Sequence, residues 1–179
     1  LSHKCLMAAL AYDAIYETLS SRERKELAED LLRLGVEPSL GDWVLEPTRI
    51  HSLNSMGHNW WTSCVYNGGM LAMALQNELP EAVEWVETLN EAMPEWFGFA
   101  GDVLQAKIKS FDEAGGMYES LNYANFGIQE ALQYRIAWQN THPGRKAPEL
   151  PQLERLPDYF VQVCYPRTGI LYNLNFGDS

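Results

Sequence analysis

Two hydrogen-bonding side chains, His58 and Asn59, stand just before a helical apolar pattern that starts with Trp60 and Trp61. A helix beginning here would place free backbone N–H groups and the positive end of its dipole beside an amide and an imidazole. Such a helix start is a natural anion site, although Asn at this position is often only an N-cap. We therefore expect His58 and Asn59 to bind a carboxylate. The two Trp residues are expected to pack or to form groove walls that suit a sugar ring.

A second polar stretch, residues 112–127, combines glycines with acidic residues and leads into another helical pattern. Tyr123 begins the apolar stripe of that helix, and Glu119 and Asn122 stand close before it. A Tyr on such a stripe usually belongs to the core, whereas a Tyr beside polar groups can transfer protons. The acidic residues of this stretch are Asp112, Glu113 and Glu119. They could be paired carboxylates for glycoside hydrolysis, or they could only solvate and cap the loop.

Residues 35–57 contain Gly, Pro and Ser without a sustained period, which predicts a long connection between helices. Long connections in compact domains are often functional. This one leads Arg49 and His51 directly toward His58, so both are candidates for substrate contact. The following helix contains Gly68-Gly69, and each glycine costs about 1 kcal/mol there relative to Ala. A close neighbour, either another helix or a ligand, is expected to explain that cost.

The composition limits the class of protein. The net charge of −11 argues against a general nucleic-acid binder, whose affinity comes from Lys and Arg on phosphates. The hydrophobic fraction of 46% and the aromatic fraction of 12% exclude disorder. No apolar run approaches the ~20 residues of a membrane span, and no signal peptide is visible. Since the chain begins at Leu1, without Met and within a helical pattern, we expect the original N-terminus to be missing.

Metal and nucleotide motifs are absent from the sequence. The three cysteines (Cys5, Cys64 and Cys164) are far apart, and the four histidines are scattered, so no zinc signature exists. We expect buried free thiols. The chain also lacks a phosphate-binding loop, a G-x-S-x-G elbow and an H-E-x-x-H motif. No metal or other cofactor is predicted.

The periodicity predicts an all-α protein. Ser20 and Glu23 form a capping-box pattern, Gly35 is expected to stop the second helix, and Pro94 to stop the fourth. The predicted helices cover residues 3–19, 21–34, 60–77, 80–93, 95–109, 122–140 and 153–164. The tail 169–176 alternates weakly and is expected to be extended. Consecutive antiparallel helical hairpins without a fixed repeat predict an incomplete (α/α) toroid or a solenoid, formed by residues 1–179 as a single helical domain.

The two polar stretches resemble those of the heparinase II/III-like polysaccharide lyases. In that family an Asn-Trp pair, often preceded by His or Asn, opens a helix that continues into a small-residue stretch, here Asn67-Gly68-Gly69. A later pattern, Asp-Gly…Glu-Gly-x-x-Tyr-x-x-Tyr-Gly, is similar to residues 112–127, with Ser120 where Gly is usual. The closing residues 175–179 also resemble a family segment at the end of a late toroid helix.

The resemblance implies β-elimination at a 4-O-linked uronic acid, with no cofactor for the core step. Asn59 and His58 would neutralise the uronate carboxylate, and Tyr123 would donate a proton to the leaving O4 and in some members act as the base. The implied substrate is an anionic polysaccharide, heparin-like, heparan-sulfate-like or alginate-like, met in the periplasm or outside the cell. The implied substrate-binding residues are Arg49, His51, Trp60, Trp61, Asn67, Glu119 and Asn122.

Family members follow the toroid with a β-sandwich domain, and nothing in this chain corresponds to it. We therefore expect the chain to be a fragment of the toroid, and whether it is active by itself stays open. Three alternatives remain beside the lyase. They are a uronyl C5-epimerase on the same scaffold, an α/α-toroid glycoside hydrolase that uses Asp112 or Glu119, and a non-enzymatic helical-repeat binding module.

Overall fold

The structure, a computed structural model, describes residues 2–45, 59–98, 110–117, 119 and 121–174. This part of the chain is mostly helical, which confirms the all-α prediction, and it contains one two-stranded antiparallel sheet. The helices are α1 (Ser2–Ile15), α2 (Ser21–Leu31), α3 (Asn59–Leu75), α4 (Pro80–Gly98), α5 (Leu121–Thr141) and α6 (Pro151–Gln162), and the strands are β1 (Cys164–Arg167) and β2 (Ile170–Asn173). Within these residues no helix has the length and apolarity needed to cross a membrane.

The junction of α1 and α2 follows the sequence prediction. A short 3-10 turn, Tyr16–Thr18, follows α1. The predicted capping box opens α2, since the Ser20 N–H donates to Glu23 Oε2 at 2.8 Å and the Glu23 N–H donates to Ser20 Oγ at 3.3 Å. Across the turn the Tyr12 hydroxyl donates to the Arg24 carbonyl at 3.3 Å. These bonds fix the first helical hairpin at its turn.

The prediction that Gly35 ends a helix and begins a loop is wrong. α2 continues directly into a π-helical segment, Leu32–Leu45, and residues 46–57 of the predicted connection lie outside the described residues. The apolar residues of the segment that face the core are Leu32, Val36, Leu40 and Val44. Gly35 serves close packing, because a Cβ there would lie 2.6 Å from Leu71 Cδ2. Burial of this apolar face outweighs the local helix breakers.

Pro94 does not end α4, which continues to Gly98. The residues beyond the proline explain why, since Trp96 and Phe97 are both fully buried. Trp96 stacks on Trp61 with ring centroids 5.8 Å apart. Burying two large aromatic side chains is worth several kcal/mol, which offsets the ~3 kcal/mol cost of proline inside a helix. The separate helix predicted for residues 95–109 is therefore wrong as far as Gly98, and residues 99–109 lie outside the described part.

α1 packs chiefly along α3, and the two helices run in the same direction. At one end the Ser2 hydroxyl hydrogen bonds to the Ser63 carbonyl. At the other end the Tyr16 hydroxyl donates to Glu78 Oε1 at 2.6 Å, just beyond α3. Because the start of α1 contacts the start of α3 and the end of α1 contacts the end of α3, the two helices are parallel.

α5 also runs parallel to α3. The Ser63 hydroxyl, in the second turn of α3, donates to Glu130 Oε1, in the middle of α5, at 3.1 Å. Near the helix ends the Thr141 hydroxyl donates to Met73 Sδ at 3.3 Å. The starts of α3 and α5 are therefore at the same end of the protein, although about 60 residues of chain separate them.

The elements that lead into α3 and α5 run in the opposite direction. The Trp61 indole donates to the Trp43 carbonyl at 3.0 Å, near the end of the π-helical segment and the start of α3. α4 is likewise antiparallel to α3, because Trp96 near its end stacks on Trp61, whereas Leu89 lies against Gly69 further along α3. The described core thus has three parallel helices joined through antiparallel return segments.

The chain beyond α5 is peripheral. Pro157 lies inside α6, which continues past it without a break. β1 and β2 then form a hairpin in which Cys164 pairs with Asn173, and Thr168 and Gly169 at its turn have positive φ angles of 51° and 77°. The extended tail expected from the sequence is confirmed for the residues of β2.

Candidate functional site

A cavity of about 550 Å³ opens where α3 and α5 begin. Asn59 and Tyr123, the two predicted catalytic residues that the structure describes, both line it. The lining residues are Trp43, Asn59, Trp60, Ser63, Cys64, Asn122, Tyr123 and Phe126. The fold therefore brings the two polar stretches of the sequence to one site.

Asn59 and Tyr123 line the same cavity because each stands in the first turn of one of two parallel helices. Gly127, one turn after Tyr123, lets these helices approach closely. A Cβ at Gly127 would lie 3.1 Å from Thr62 Oγ1, which is tighter than ordinary van der Waals contact. The Thr62 hydroxyl in turn donates to the Asn59 carbonyl at 2.6 Å. The small residue thus sets the spacing of the two walls.

Glu119 binds Asn59 directly. A single carboxylate oxygen, Oε2, accepts the Asn59 backbone N–H at 2.8 Å and the Asn59 side-chain Nδ2 at 3.0 Å. A carboxylate at the first turn of a helix is stabilised by the free N–H groups and by the helix dipole. The anion position that the sequence predicted for a substrate is therefore held by the protein's own Glu119. Asn59 itself is only 5% exposed.

Aromatic side chains form the open walls of the cavity. Trp60 is 60% exposed and Phe126 is 47% exposed, whereas Trp43 and Tyr123 are half-buried. Asn122 is exposed beside Tyr123. Exposed aromatic faces with an amide nearby suit a ligand that has both apolar ring faces and hydroxyl groups.

Beneath the cavity lies a half-buried carboxylate, Glu130. Its Oε1 accepts the Ser63 hydroxyl at 3.1 Å and the Asn67 amide at 3.4 Å. Its Oε2 is buried and has no hydrogen-bond partner among the described residues. Burial raises the pKa of the Glu130 carboxyl, and the hydrogen bonds from Ser63 and Asn67 only partly oppose this. A carboxyl whose pKa is raised by burial thus lies behind Ser63.

The cavity also contains the thiol of Cys64. Burial raises the pKa of this thiol to about 11. All three cysteines are free as predicted, but only Cys5 is buried, whereas Cys64 and Cys164 are half-buried. Cys64 is accordingly a neutral thiol at physiological pH.

Two residues predicted to bind substrate lie inside the core instead. Trp61 is fully buried in its stack with Trp96. The Asn67 amide donates to Ser2 Oγ at 2.9 Å and to the Ser63 carbonyl at 3.1 Å, which ties α1 to α3. Neither side chain lines the cavity, so their positions give them packing and bridging roles. The other predicted site residues, Arg49, His51 and His58, lie outside the described residues.

The acidic loop before α5 does not belong to the cavity of Asn59 and Tyr123. Asp112 Oδ1 accepts the backbone N–H groups of Ala114 and Gly116, both at 2.8 Å, and thereby closes the turn. Asp112 and Glu113 border a different cavity of about 320 Å³, together with Arg155. Asp112 and Glu119 therefore do not face each other across the cavity of Asn59 and Tyr123. The described part of the chain also holds no group of three or more His, Cys, Asp or Glu side chains suited to a metal ion.

Several lining residues were not predicted as site residues from the sequence, although helix geometry contains a signal for them. Ser63 stands four residues after Asn59, Cys64 four residues after Trp60, and Phe126 three residues after Tyr123. Residues with these spacings lie on one helix face. Trp43 carried no such signal, since its stretch was predicted to be a loop. In comparisons with models of protein families, with curated proteins and with solved structures, nothing matches this chain.

Proposed function

We propose that this chain forms part of the α/α toroid of a polysaccharide lyase, which cleaves a uronic-acid-containing polysaccharide by β-elimination. The observation that carries the proposal is that Asn59 and Tyr123 line the same cavity. Carboxylate neutralisation and proton transfer are the two tasks that this reaction demands. The cavity offers one group suited to each.

The reaction can be written with these two residues. The C5 proton of a uronic acid is weakly acidic, because the charge left on C5 would delocalise into a carboxylate that is already negative. A hydrogen bond from Asn59 to that carboxylate stabilises the developing charge. Tyr123, acting as a phenolate, takes the C5 proton, and the C5–H electron pair becomes the C4–C5 double bond. The C4–O4 bond breaks with its electron pair on O4, and Tyr123 returns the proton to O4.

The walls of the cavity support a sugar ligand. The exposed faces of Trp60 and Phe126 can pack against the C–H faces of pyranose rings, and Asn122 offers hydrogen bonds to hydroxyl groups. The parallel order of α1, α3 and α5 with antiparallel returns is also what the inner and outer helices of a toroid require. The same proposal includes three further points. They are more toroid helices beyond the described residues, a following β-sandwich domain, and a location in the periplasm or outside the cell.

The positions of the carboxylates do not favour the glycoside hydrolase. Inverting and retaining glycosidases need two carboxyl groups across one scissile bond. Here the Glu119 carboxylate is bonded to Asn59, and the Asp112 carboxylate closes a turn beside another cavity. The epimerase and the binding module use the same walls as the lyase, so experiment has to separate them.

The test uses the 179-residue chain with alginate, hyaluronan and heparan sulfate. A lyase produces a C4–C5 double bond conjugated to the carboxylate, which is followed by ultraviolet absorbance. We expect this signal for at least one polymer, and we expect its loss in Tyr123→Phe and in Asn59→Ala, with thermal unfolding as the control for folding. An active Tyr123→Phe variant would rule out the proposed role of Tyr123.

The product pattern separates the alternatives. Exchange of the C5 proton for deuterium without chain cleavage would identify an epimerase, and new reducing ends without ultraviolet absorbance would identify a hydrolase. Binding that depends on Trp60 but leaves the polymer unchanged, even at high protein concentration and long incubation, would identify a binding module. Any of these three outcomes would overturn the lyase.

A further inference from the structure

We propose that Glu119 is a positioning residue for the Asn59 amide, and this inference rests on the proposed function. Its carboxylate holds the amide in one orientation, so that an N–H of Asn59, and not its carbonyl oxygen, is directed at the carboxylate of a bound uronate. The sequence suggested a substrate contact for Glu119. The structure assigns it to Asn59 instead.

The first step of the argument concerns the direction of the amide. An Asn side chain has a donor end and an acceptor end of nearly the same shape, and rotation by half a turn exchanges them. Nδ2 of Asn59 lies 3.0 Å from Glu119 Oε2. The rotated amide would place Oδ1 against a carboxylate oxygen, where lone pairs repel. Glu119 therefore selects one of the two orientations.

The second step concerns how firmly Glu119 itself is held. The same Oε2 accepts the Asn59 backbone N–H at 2.8 Å, so the carboxylate is anchored at the start of α3 independently of the side chain. Hydrogen bonds to an ionised acceptor are about twice as strong as neutral ones, and the site is partly buried. The Glu119 carboxylate is thus fixed in place and in turn fixes the Asn59 amide, which is the condition for a preorganised hydrogen-bond donor.

The third step concerns the number of donors. Nδ2 carries two hydrogens, and Glu119 takes one of them. The second is the hydrogen that this inference directs at the uronate carboxylate. A substrate that arrives at this hydrogen also meets the negative charge of Glu119, which weakens ground-state binding. Glu119 is therefore expected to raise the rate of the chemical step and to raise KM as well.

These opposing effects give Glu119 variants a distinctive signature. Glu119→Ala loses the support of the amide, and we expect kcat to fall by about 100-fold, because small misplacements of a catalytic group have effects of this size. Glu119→Gln keeps an acceptor oxygen without the charge, so it should recover most of the kcat lost in Glu119→Ala and lower KM below that of the wild type. A residue that only stabilises the fold would change kcat and thermal stability together and would not separate kcat from KM.

A second measurement does not depend on activity. In two-dimensional ¹H–¹⁵N spectra of the full chain, the two Nδ2 protons of Asn59 should differ widely in chemical shift, with the bonded proton downfield. We expect the difference to collapse in Glu119→Ala and to persist in Glu119→Gln. Glu91→Gln, which removes an exposed charge on α4, is the matched control and should change neither the spectrum nor the kinetics.

The two measurements keep the two proposals apart. An Asn59 amide signal that is the same in Glu119→Ala as in the wild type would overturn the positioning role, whether or not the lyase activity exists. If no uronate polymer is cleaved but the amide signal responds as expected, Glu119 orients Asn59 and the proposed function fails alone. Equal losses of kcat in Glu119→Ala and Glu119→Gln, at unchanged KM, would also contradict the inference.

Discussion

The ring of Tyr134 in α5 lies over Gly69 of α3, so that a Cβ at position 69 would be only 2.8 Å from Tyr134 Cε2. The Tyr134 hydroxyl continues into α4, where it donates to the Val86 carbonyl at 3.3 Å and to Asn90 Oδ1 at 3.2 Å. One aromatic side chain thereby joins three helices at the point where α3 has no side chain. This contact accounts for a glycine that is costly in a helix by itself.

Gly69→Ala should therefore destabilise the protein although alanine is the better helix former. We expect the free energy of unfolding to fall by about 1–3 kcal/mol, the usual cost of an extra methyl group in a filled core. Urea denaturation measures it. Gly98→Ala is the matched control, since no described atom lies within 4 Å of a Cβ at that position. An equal or greater stability of Gly69→Ala would contradict the close packing of α3 and α5.

The adjacent residues Trp60 and Trp61 should respond in opposite ways to replacement by alanine. Trp60 is 60% exposed at the cavity, so Trp60→Ala should leave thermal stability nearly unchanged and weaken binding of a uronate oligosaccharide about tenfold, or ~1.4 kcal/mol. Trp61 is fully buried, and Trp61→Ala should cost about 3–5 kcal/mol of stability. Calorimetric titration and thermal unfolding separate the two effects. A large loss of stability in Trp60→Ala would show that this residue packs and does not serve a ligand.

Glu130 should make the stability of the protein fall as the pH rises. Burial raises the pKa of its carboxyl in the folded state above the ordinary value of 4.5, so the folded protein holds the proton to higher pH than the unfolded chain does. The favourable contribution is complete below pH 4.5 and is lost as the pH rises through the folded pKa. Glu130→Gln should therefore unfold at a higher temperature than the wild type at neutral pH, and the difference should shrink below pH 4.5.

Thermal unfolding at a series of pH values checks this prediction, with the exposed Glu91→Gln as the control for the loss of one negative charge. The Ser63 hydroxyl and the Asn67 amide donate to Glu130 Oε1, and Tyr66 lies near enough for its own ionisation to be opposed by the charge of Glu130. A Glu130→Gln variant with the same pH profile as the wild type would show that ionisation of Glu130 carries no cost in the folded protein.

Cys64 should react slowly with alkylating reagents at neutral pH, because burial raises the pKa of its thiol to about 11 and only the thiolate reacts. The rate of labelling should rise about tenfold for each pH unit until the pH approaches that pKa. Mass spectrometry of the Cys64 peptide measures the rate, and Cys64→Ser confirms the assignment. Since the thiol lines the cavity, the label should also block ligand binding. Fast labelling at neutral pH that is independent of pH would contradict a raised pKa of the Cys64 thiol.

The positions of Asn59 and Tyr123 in the first turns of two helices were predictable from local patterns, whereas their pairing in one site was expected only from the resemblance to the lyase motifs. The partner of Asn59 was not predictable. Glu119 reaches it across 60 positions of sequence, and this contact depends on where α3 and α5 lie in space. Local sequence patterns show where a helix begins and which face is apolar, but they do not show which distant residue packs beside it. Only the structure therefore shows that Glu119 holds the anion position at Asn59.

The incorrect predictions share a physical cause. Gly35 and Pro94 are local helix breakers, and the sequence analysis ended helices at both. In the structure each stands beside apolar residues whose burial depends on distant parts of the chain, with Leu71 packing at Gly35 and Trp61 stacking on Trp96 just after Pro94. Tertiary burial overrides local propensity at both positions.

The parallel order of α1, α3 and α5 gives the protein two unlike ends. Short turns, at residues 16–20 and 76–79, join the helices at the end remote from the cavity. The long segments 46–58 and 99–120 lead into Asn59 and Leu121, at the end where the cavity opens. Exposed side chains at this end, such as Trp60 and Phe126, can therefore change what the cavity accepts without changing the turns that join the helices at the other end. The scaffold thus separates the part of the sequence that maintains the fold from the part in which ligand preference can diversify.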